Sequence, residues 1–490
     1  MDRFVESLHP ADSDFDFKAQ VFKGIHLGAR ACDGSDYEEV DSPLTPLTDA
    51  SRSTSPEPRP RTPTTTPGPA LPSSLSPEAL TSTPSAPPTR GEKRKAKKKQ
   101  QGRRNAKEKK AKIRESGPKP ALALKQIQTA VGVSSTYSAQ DFDIASTGYI
   151  SQRERGHSAT FSLDQVVGPN SRYKFELKEW DGRNPMPIVD REDLVIGVCA
   201  GLPRGDETWD SLQLRASDLL EEARPRLCFN KKDLKHRRGS FPALAVGISH
   251  GGGQSYPKTL VHEPQNDSVL DALLQEDVFH RISGFSTGAF TTWAPRLCRY
   301  QTDNLSKVIA HDYELRAKNE HPKPEDKELR RNFPQTPWAA TTLNFGPRTV
   351  CYKHADFGNL AFGWCAITAL GEFDYKKGGH LILWDLGLVI EFPPGSTILI
   401  PSSAIRHSNT RIQIGERRYS FTQYSAGGIF RWVDNGFKTV VDRVCSMNPA
   451  EHVALLDDLS NQLEYGLSLY STLKELETLA NQSIRKPAVV

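Results

Sequence analysis

The chain has no long apolar run. The longest such stretch beside a strand pattern is Leu194–Leu202, far short of the ~20 residues that span a bilayer. The N-terminus, MDRFVESLHPADSDFDFK, is acidic and mixed, without the apolar core of a secretory signal. These two absences argue against a membrane protein and a secreted one. The seven cysteines are scattered, with no C-x-x-C pair. That pattern reads as reduced thiols in an intracellular compartment, and it offers no thiolate set for a structural zinc module. Apolar residues are only 37% of the chain, below the ~45–50% of a compact domain. Part of the chain therefore does not pack, and the packed part is richer than the average.

The charge is unevenly placed. Between Glu92 and Glu115 stand thirteen Lys/Arg against three Glu, a local +10 within a whole-chain charge of +5, which leaves −5 for the remainder. A run this basic buries no core; it reads as a nuclear-localisation signal or a nucleic-acid arm, with a merely solubilising tail as the alternative. Residues 41–90 hold 13 Pro, 9 Ser and 10 Thr, with seven Ser/Thr-Pro steps. Such a composition cannot offset its chain entropy by burial, so residues 1–120 are expected to form a disordered tail.

Order is expected to begin near Ala121–Tyr137. The stretch 137–340 reads as α+β: strands over Lys174–Trp180 and Asp193–Ala200, an amphipathic helix over Glu207–Ala223, and a helix over Asp267–Ile282 capped by Asn266 or Asp267. From 341 to 440 the pattern changes to short β-rich runs between breakers: Arg348–Lys353, Trp364–Leu370, His380–Trp384, Leu388–Phe392, Thr397–Pro401 and Arg418–Tyr424. This spacing predicts an antiparallel barrel or jelly roll. Beyond a cap at Ser446–Pro449, Ala450–Asn481 carries the apolar spacing of one long helix or a helical pair spanning 446–484.

The chemistry-bearing residues lie in the β-rich part. His354 and Asp356 are two apart at the end of an apolar run, and residues i and i+2 of a strand share a face. His407 follows 51 residues after Asp356, and Arg418 eleven residues after His407. Two imidazoles and a carboxylate make the facial triad of non-haem Fe(II) oxygenases, which leaves positions open for a co-substrate and O₂. An Arg opening the next strand can hold a dicarboxylate bidentately. An H-x-D step alone is a weak signal, and most such pairs are surface polar residues. The ordered set of H-x-D, His and Arg on expected barrel strands is far more specific. His380 is expected at a turn or strand edge, and His311 on a helix surface.

The segment from about Asn344 to Phe437 resembles the TET/JBP branch of the 2-oxoglutarate/Fe(II) dioxygenases, in the form found in mushroom-type fungi. The resemblance rests on His354-Ala-Asp-Phe-Gly-Asn359-Leu (an H-x-D-x-x-N), Trp364-Cys-Ala-Ile-Thr-Ala-Leu-Gly, Gly378-Gly-His-Leu-Ile-Leu, Glu391-Phe-Pro-Pro-Gly-Ser and Ser420-Phe-Thr-Gln-Tyr. It implies a double-stranded β-helix core with flanking helices. It also implies iron held by His354, Asp356 and His407, 2-oxoglutarate on Arg418, a base contact from Asn359, and oxidation of a pyrimidine methyl group (5-methylcytosine or thymine) in DNA. The sequence departs from the animal members in two ways. It lacks their Cys-rich zinc module, and the His they place about eight residues after the co-substrate Arg is here Ala426, before Gly427-Gly428. Two alternatives stay open: the same chemistry on a protein or small molecule, or a non-catalytic nuclear scaffold.

Overall fold

The computed structural model describes residues 119–154 and 156–485. The Pro/Ser/Thr-rich stretch, its Ser/Thr-Pro steps and the basic run, with nearly all of the expected 1–120 tail, lie outside them. Among the described residues no helix is long and apolar enough to cross a membrane.

The fold is mixed α+β, built on two sheets. The strands are β1 (Val133–Ser134), β2 (Glu176–Lys178), β3 (Met186–Val189), β4 (Val195–Gly201), β5 (Ala243–Ser249), β6 (Lys258–Thr259) and β7 (Ala340–Asn344). They continue with β8 (Cys365–Glu372), β9 (Leu381–Leu383), β10 (Leu388–Ile390), β11 (Thr397–Ile400), β12 (His407–Asn409) and β13 (Arg417–Tyr424). Nine form one sheet in the order β1-β3-β4-β11-β8-β13-β7-β5-β6, and four form a second in the order β12-β9-β10-β2. From β8 onward the chain alternates between them: β8 in the large sheet, β9 and β10 in the small, β11 large, β12 small, β13 large. Strands from both halves of the chain share the large sheet.

Both faces of the large sheet are covered. Helices Trp209–Ala223, Pro264–Gln275 and Asp277–Trp293 bring Trp209, Leu212, Leu220, Leu273 and Phe279 onto Leu343, Tyr419 and Phe421. The small sheet buries Ile382, Trp384 and Val389 under residues 161–177, where the rings of Phe161, Tyr173 and Phe175 stand 4.9–5.4 Å from that of Trp384. At about 25 cal/mol per Å² of buried apolar surface, such aromatic packing is the chief stabilising term.

Several expectations change. The run Arg348–Lys353 forms no strand; it makes only a bridge at Arg348 and another at His354. The single helix expected over Asp267–Ile282 is two, Pro264–Gln275 and Asp277–Trp293, broken at Glu276, whose extended backbone (ψ 130°) interrupts the helix. Asn266 does not cap it. Its side chain is buried and binds both main-chain groups of Cys228, accepting from the N–H and donating to the carbonyl. The C-terminal spacing resolves into three helices, Pro449–Ser460, Gln462–Ser468 and Leu473–Arg485. The first is capped by Asn448, with Pro449 at its first position and Glu451 returning the bond to the Asn448 N–H, because a Pro loses nothing where the helix has no N–H partner.

Candidate metal centre

His354 and His407 meet across a two-residue antiparallel bridge. The His354 N–H donates to the His407 carbonyl at 3.0 Å, and the His407 N–H returns the bond at 2.8 Å. Main-chain pairing therefore sets the ring positions, with centroids 4.3 Å apart. Each ring hydrogen-bonds through Nδ1 to a carbonyl, His354 to that of Tyr352 at 2.7 Å and His407 to that of Ile405 at 3.0 Å. A carbonyl only accepts, so Nδ1 carries the proton and Nε2 keeps its lone pair. Burial keeps both imidazoles below the usual histidine range and hence neutral.

Asp356 lies just past the bridge rather than on a regular strand, its N–H donating to the Ser402 carbonyl at 2.8 Å. Its carboxylate still reaches the rings. Oδ1 stands 3.7 Å from His354 Nε2, and Oδ2 stands 3.9 Å from His407 Nε2. Burial alone would raise this carboxyl, but the neighbouring charges, Arg237 and Arg238 among them, outweigh it and hold it well below the usual range. All three ligand atoms fall within 4.8 Å of one another. Donors about 2.1 Å from one ion, at 90–120°, stand roughly 3.0–3.7 Å apart, so a small divalent ion closes this site with little movement. Two neutral imidazoles and a carboxylate on one side of the ion match the donor set of a non-haem iron centre.

Arg418 is 1% exposed on β13, while its neighbour Arg417 points outward to Glu372 with a 40% exposed side chain. The Arg418 Nη1 donates to the Thr349 carbonyl at 2.8 Å, its Nε has no partner, and the Phe373 and Phe392 rings lie 5.7 and 5.8 Å away. Among the described residues no carboxylate pairs with it. Burial pushes its pKa down to about 10, so it stays cationic at neutral pH. A buried cation without a counter-ion is costly. Close by, Gly379 (φ 76°) has no room for a side chain, since a Cβ there would meet the Phe373 ring at 2.7 Å and Arg418 Cδ at 3.4 Å. His380 lies immediately before β9, at the end of that strand. It is fully buried, bonded through Nδ1 to Thr410 Oγ1 at 2.8 Å, with Nε2 unpartnered. His311 lies in the helix Pro295–Ala317 and stacks on Phe437 at 4.1 Å.

Asn359 is 2% exposed. Its Nδ2 donates to Cys365 Sγ at 3.3 Å and Ser402 Oγ at 3.4 Å, and its Oδ1 has no partner. Its backbone bridges to Ala426, whose side chain is a single methyl group.

The sequence reading missed two residues of this centre. Arg237 and Arg238 come from the turn between His236 and Gly239. Arg237 donates to the Ala355 carbonyl and to Asp356 Oδ1 at 3.2 Å, and its guanidinium stands 5.1 Å from the Phe357 ring. Arg238 is buried with Nε and Nη2 unpartnered, and its charge reaches Asp356 and Cys351. Only the doubled Arg in Lys235-His-Arg-Arg238 marked them, and nothing local tied that turn to residues more than a hundred positions away.

No family model matches the chain, and no curated protein matches it. Among solved structures it is similar to NgTET1 in complex with 5mC DNA, with 14% sequence identity and a TM-score of 0.33 over 53% of this chain and 85% of that chain. A likeness this distant carries no argument about chemistry, and the candidate centre rests on its own residues.

Proposed function

We propose that the protein is a 2-oxoglutarate- and Fe(II)-dependent dioxygenase that oxidises the methyl group of a modified pyrimidine in DNA. The observation that carries this reading is the pairing of a His354, Asp356, His407 cluster with Arg418, a buried guanidinium without a counter-ion. The alternation of the chain between two sheets from β8 to β13 supports a double-stranded β-helix core, the fold this chemistry implies.

His354 Nε2, His407 Nε2 and one Asp356 oxygen would hold the metal and leave its remaining positions for co-substrate and O₂. Iron, when bound, supplies the activation of O₂ with 2-oxoglutarate as reductant, so that the substrate C–H, O₂ and 2-oxoglutarate become C–OH, succinate and CO₂. Arg418 takes the distal carboxylate of the diacid in a bidentate fork. Arg238, with Nε and Nη2 unpartnered, adds positive charge at the metal end. Phe373 and Phe392 keep water from the Arg418 end, which strengthens that charge pair. The free Oδ1 of Asn359 accepts from an N–H on the edge of a flipped base. The H-x-D-x-x-N resemblance supports the pyrimidine substrate, and the basic run supports nuclear placement and phosphate contacts.

Ala426 favours a second reading, the same chemistry on a protein side chain or small molecule, because the base edge loses one polar contact there. Mass spectrometry of nucleosides from methylated DNA incubated with protein, Fe(II) and 2-oxoglutarate decides. Hydroxymethylated pyrimidine with matching succinate supports the DNA reading. Succinate formed only with other substrates supports the second. Protein that takes up no iron would be the non-catalytic scaffold.

A further inference from the structure

Arg237 grips three consecutive residues of the metal-binding turn. One guanidinium nitrogen donates to the Ala355 carbonyl, another donates to Asp356 Oδ1 at 3.2 Å, and its plane lies 5.1 Å from the Phe357 ring. The pair is largely buried, with side chains 16% and 15% exposed. The turn that carries Arg237 is itself fastened to the metal-ligand segment, since the Tyr352 N–H donates to the Arg238 carbonyl at 2.8 Å. The contact therefore joins two anchored backbones and is not a surface pair free to exchange partners.

The chemistry of the ligand set makes this grip matter. The two imidazoles are fixed by main-chain bridging and by their Nδ1 bonds. Asp356 has its main chain tied at both groups, the N–H to the Ser402 carbonyl and the carbonyl to the Asn359 N–H, but among the described residues only Arg237 donates to its carboxylate, which is otherwise free to rotate about χ1 and χ2. Without a partner it could turn from the rings toward solvent, or present both oxygens to one ion and take up a position a co-substrate needs. A donor on one oxygen removes both freedoms.

We infer that Arg237 is a positioning residue for the metal: it binds one carboxylate oxygen of Asp356 and so presents the other, singly, to an ion held by His354 and His407. Outer partners of this kind orient ligands, and their loss typically costs about 10–100-fold in metal affinity. The inference rests on the metal-centre reading but not on the identity of the organic substrate.

The test is isothermal titration of the full-length chain with Co(II) alone, an air-stable stand-in for Fe(II), beside thermal melts of the metal-free protein. Arg237→Gln is expected to weaken Co(II) binding about 10–100-fold while the metal-free melting temperature stays close to that of the wild type. Arg237→Lys, which keeps the charge but loses the fork, should fall between. Arg153→Ala removes a second guanidinium that stands 5.8 Å from the same Phe357 ring without touching Asp356, and should leave the affinity unchanged. Wild-type affinity in Arg237→Gln overturns the inference, and so does an equal loss in Arg153→Ala, which would make general charge the cause. Wild-type protein that binds no Co(II) would instead sink the metal-centre reading itself.

Discussion

At the scale of single residues, main-chain geometry does much of the positioning. His354 and His407 are joined through their backbones, so truncating either side chain leaves that pairing in place. His354→Ala, Asp356→Ala and His407→Ala are each expected to abolish 2-oxoglutarate decarboxylation while thermal melts stay near wild type; full turnover in any one of them would remove that residue from the ligand set. The two adjacent arginines give a sharper contrast. Side chains alternate along a strand, and β13 turns Arg418 inward and Arg417 out to Glu372. Arg418→Lys should raise the KM for 2-oxoglutarate about tenfold or more, because an ammonium cannot make the bidentate fork and ~1.4 kcal/mol is a factor of ten. Arg417→Lys should change it less than about twofold, as expected of an exposed ion pair. Steady-state kinetics on both variants checks the pair, and the reverse pattern would mean that Arg417 serves the co-substrate. The His354, Asp356 and His407 cluster was legible in the sequence from the order and spacing of its residues, although only His407 lies on a regular strand. Arg237 and Arg238 were not, because only the three-dimensional approach of a distant turn gives them a role.

At the scale of elements, legibility followed the turn residues that bound each run. The runs that became β8 to β11 and β13 lie between turn residues such as Pro393-Pro-Gly395, and those breakers marked their ends. β5 and β7 are buried along their whole length, so they show no polar alternation to read. Of the helix Pro295–Ala317 only the part around His311 was expected, because its many charged residues hide a narrow buried stripe that includes Leu297, Leu305 and Val308. The helices on either side of Glu276 read as one because their apolar spacing runs on across the break. Close backbone approach explains a further feature, the glycine pair after Ala426. A Cβ on Gly427 would fall 2.0 Å from the Tyr149 carbonyl oxygen, and one on Gly428 would fall 2.2 Å from that of His250. Main-chain oxygens cannot swing aside as a flexible side chain can. Gly427→Ala is therefore expected to destabilise the fold by about 1–3 kcal/mol, read as a lowered melting midpoint. Unchanged stability would show that the helix Gly427–Asp434 shifts without cost.

At the scale of the whole molecule, the two ends of the described chain support each other. The helix Pro120–Thr129 packs on Leu473–Arg485: it buries Ala123 and Ile127, and its Gln128 donates to Glu477 at 2.6 Å. The expected tail boundary at 120 thus falls at the first residue of a packed helix. The positive charge lies almost wholly before that helix, in the run 92–115, while the remainder of the chain is net −5. Composition gives that run little apolar surface to bury, and targeting and polyanion contact are the roles we propose for it. A chain starting at residue 119 is expected to melt at the same temperature as the full chain and keep its 2-oxoglutarate turnover, yet to leave the nucleus when expressed as a fluorescent fusion. A chain starting at residue 131 should lose stability, because the apolar face of Leu473–Arg485 then meets water where Ala123 and Ile127 had covered it, at roughly 25 cal/mol per Å² exposed. Melting curves and cell imaging of both truncations separate the two effects. Nuclear accumulation of the chain starting at 119 would move the targeting signal into the folded body, and an unchanged midpoint for the chain starting at 131 would mean that the terminal helix pair adds nothing to the stability of the sheets.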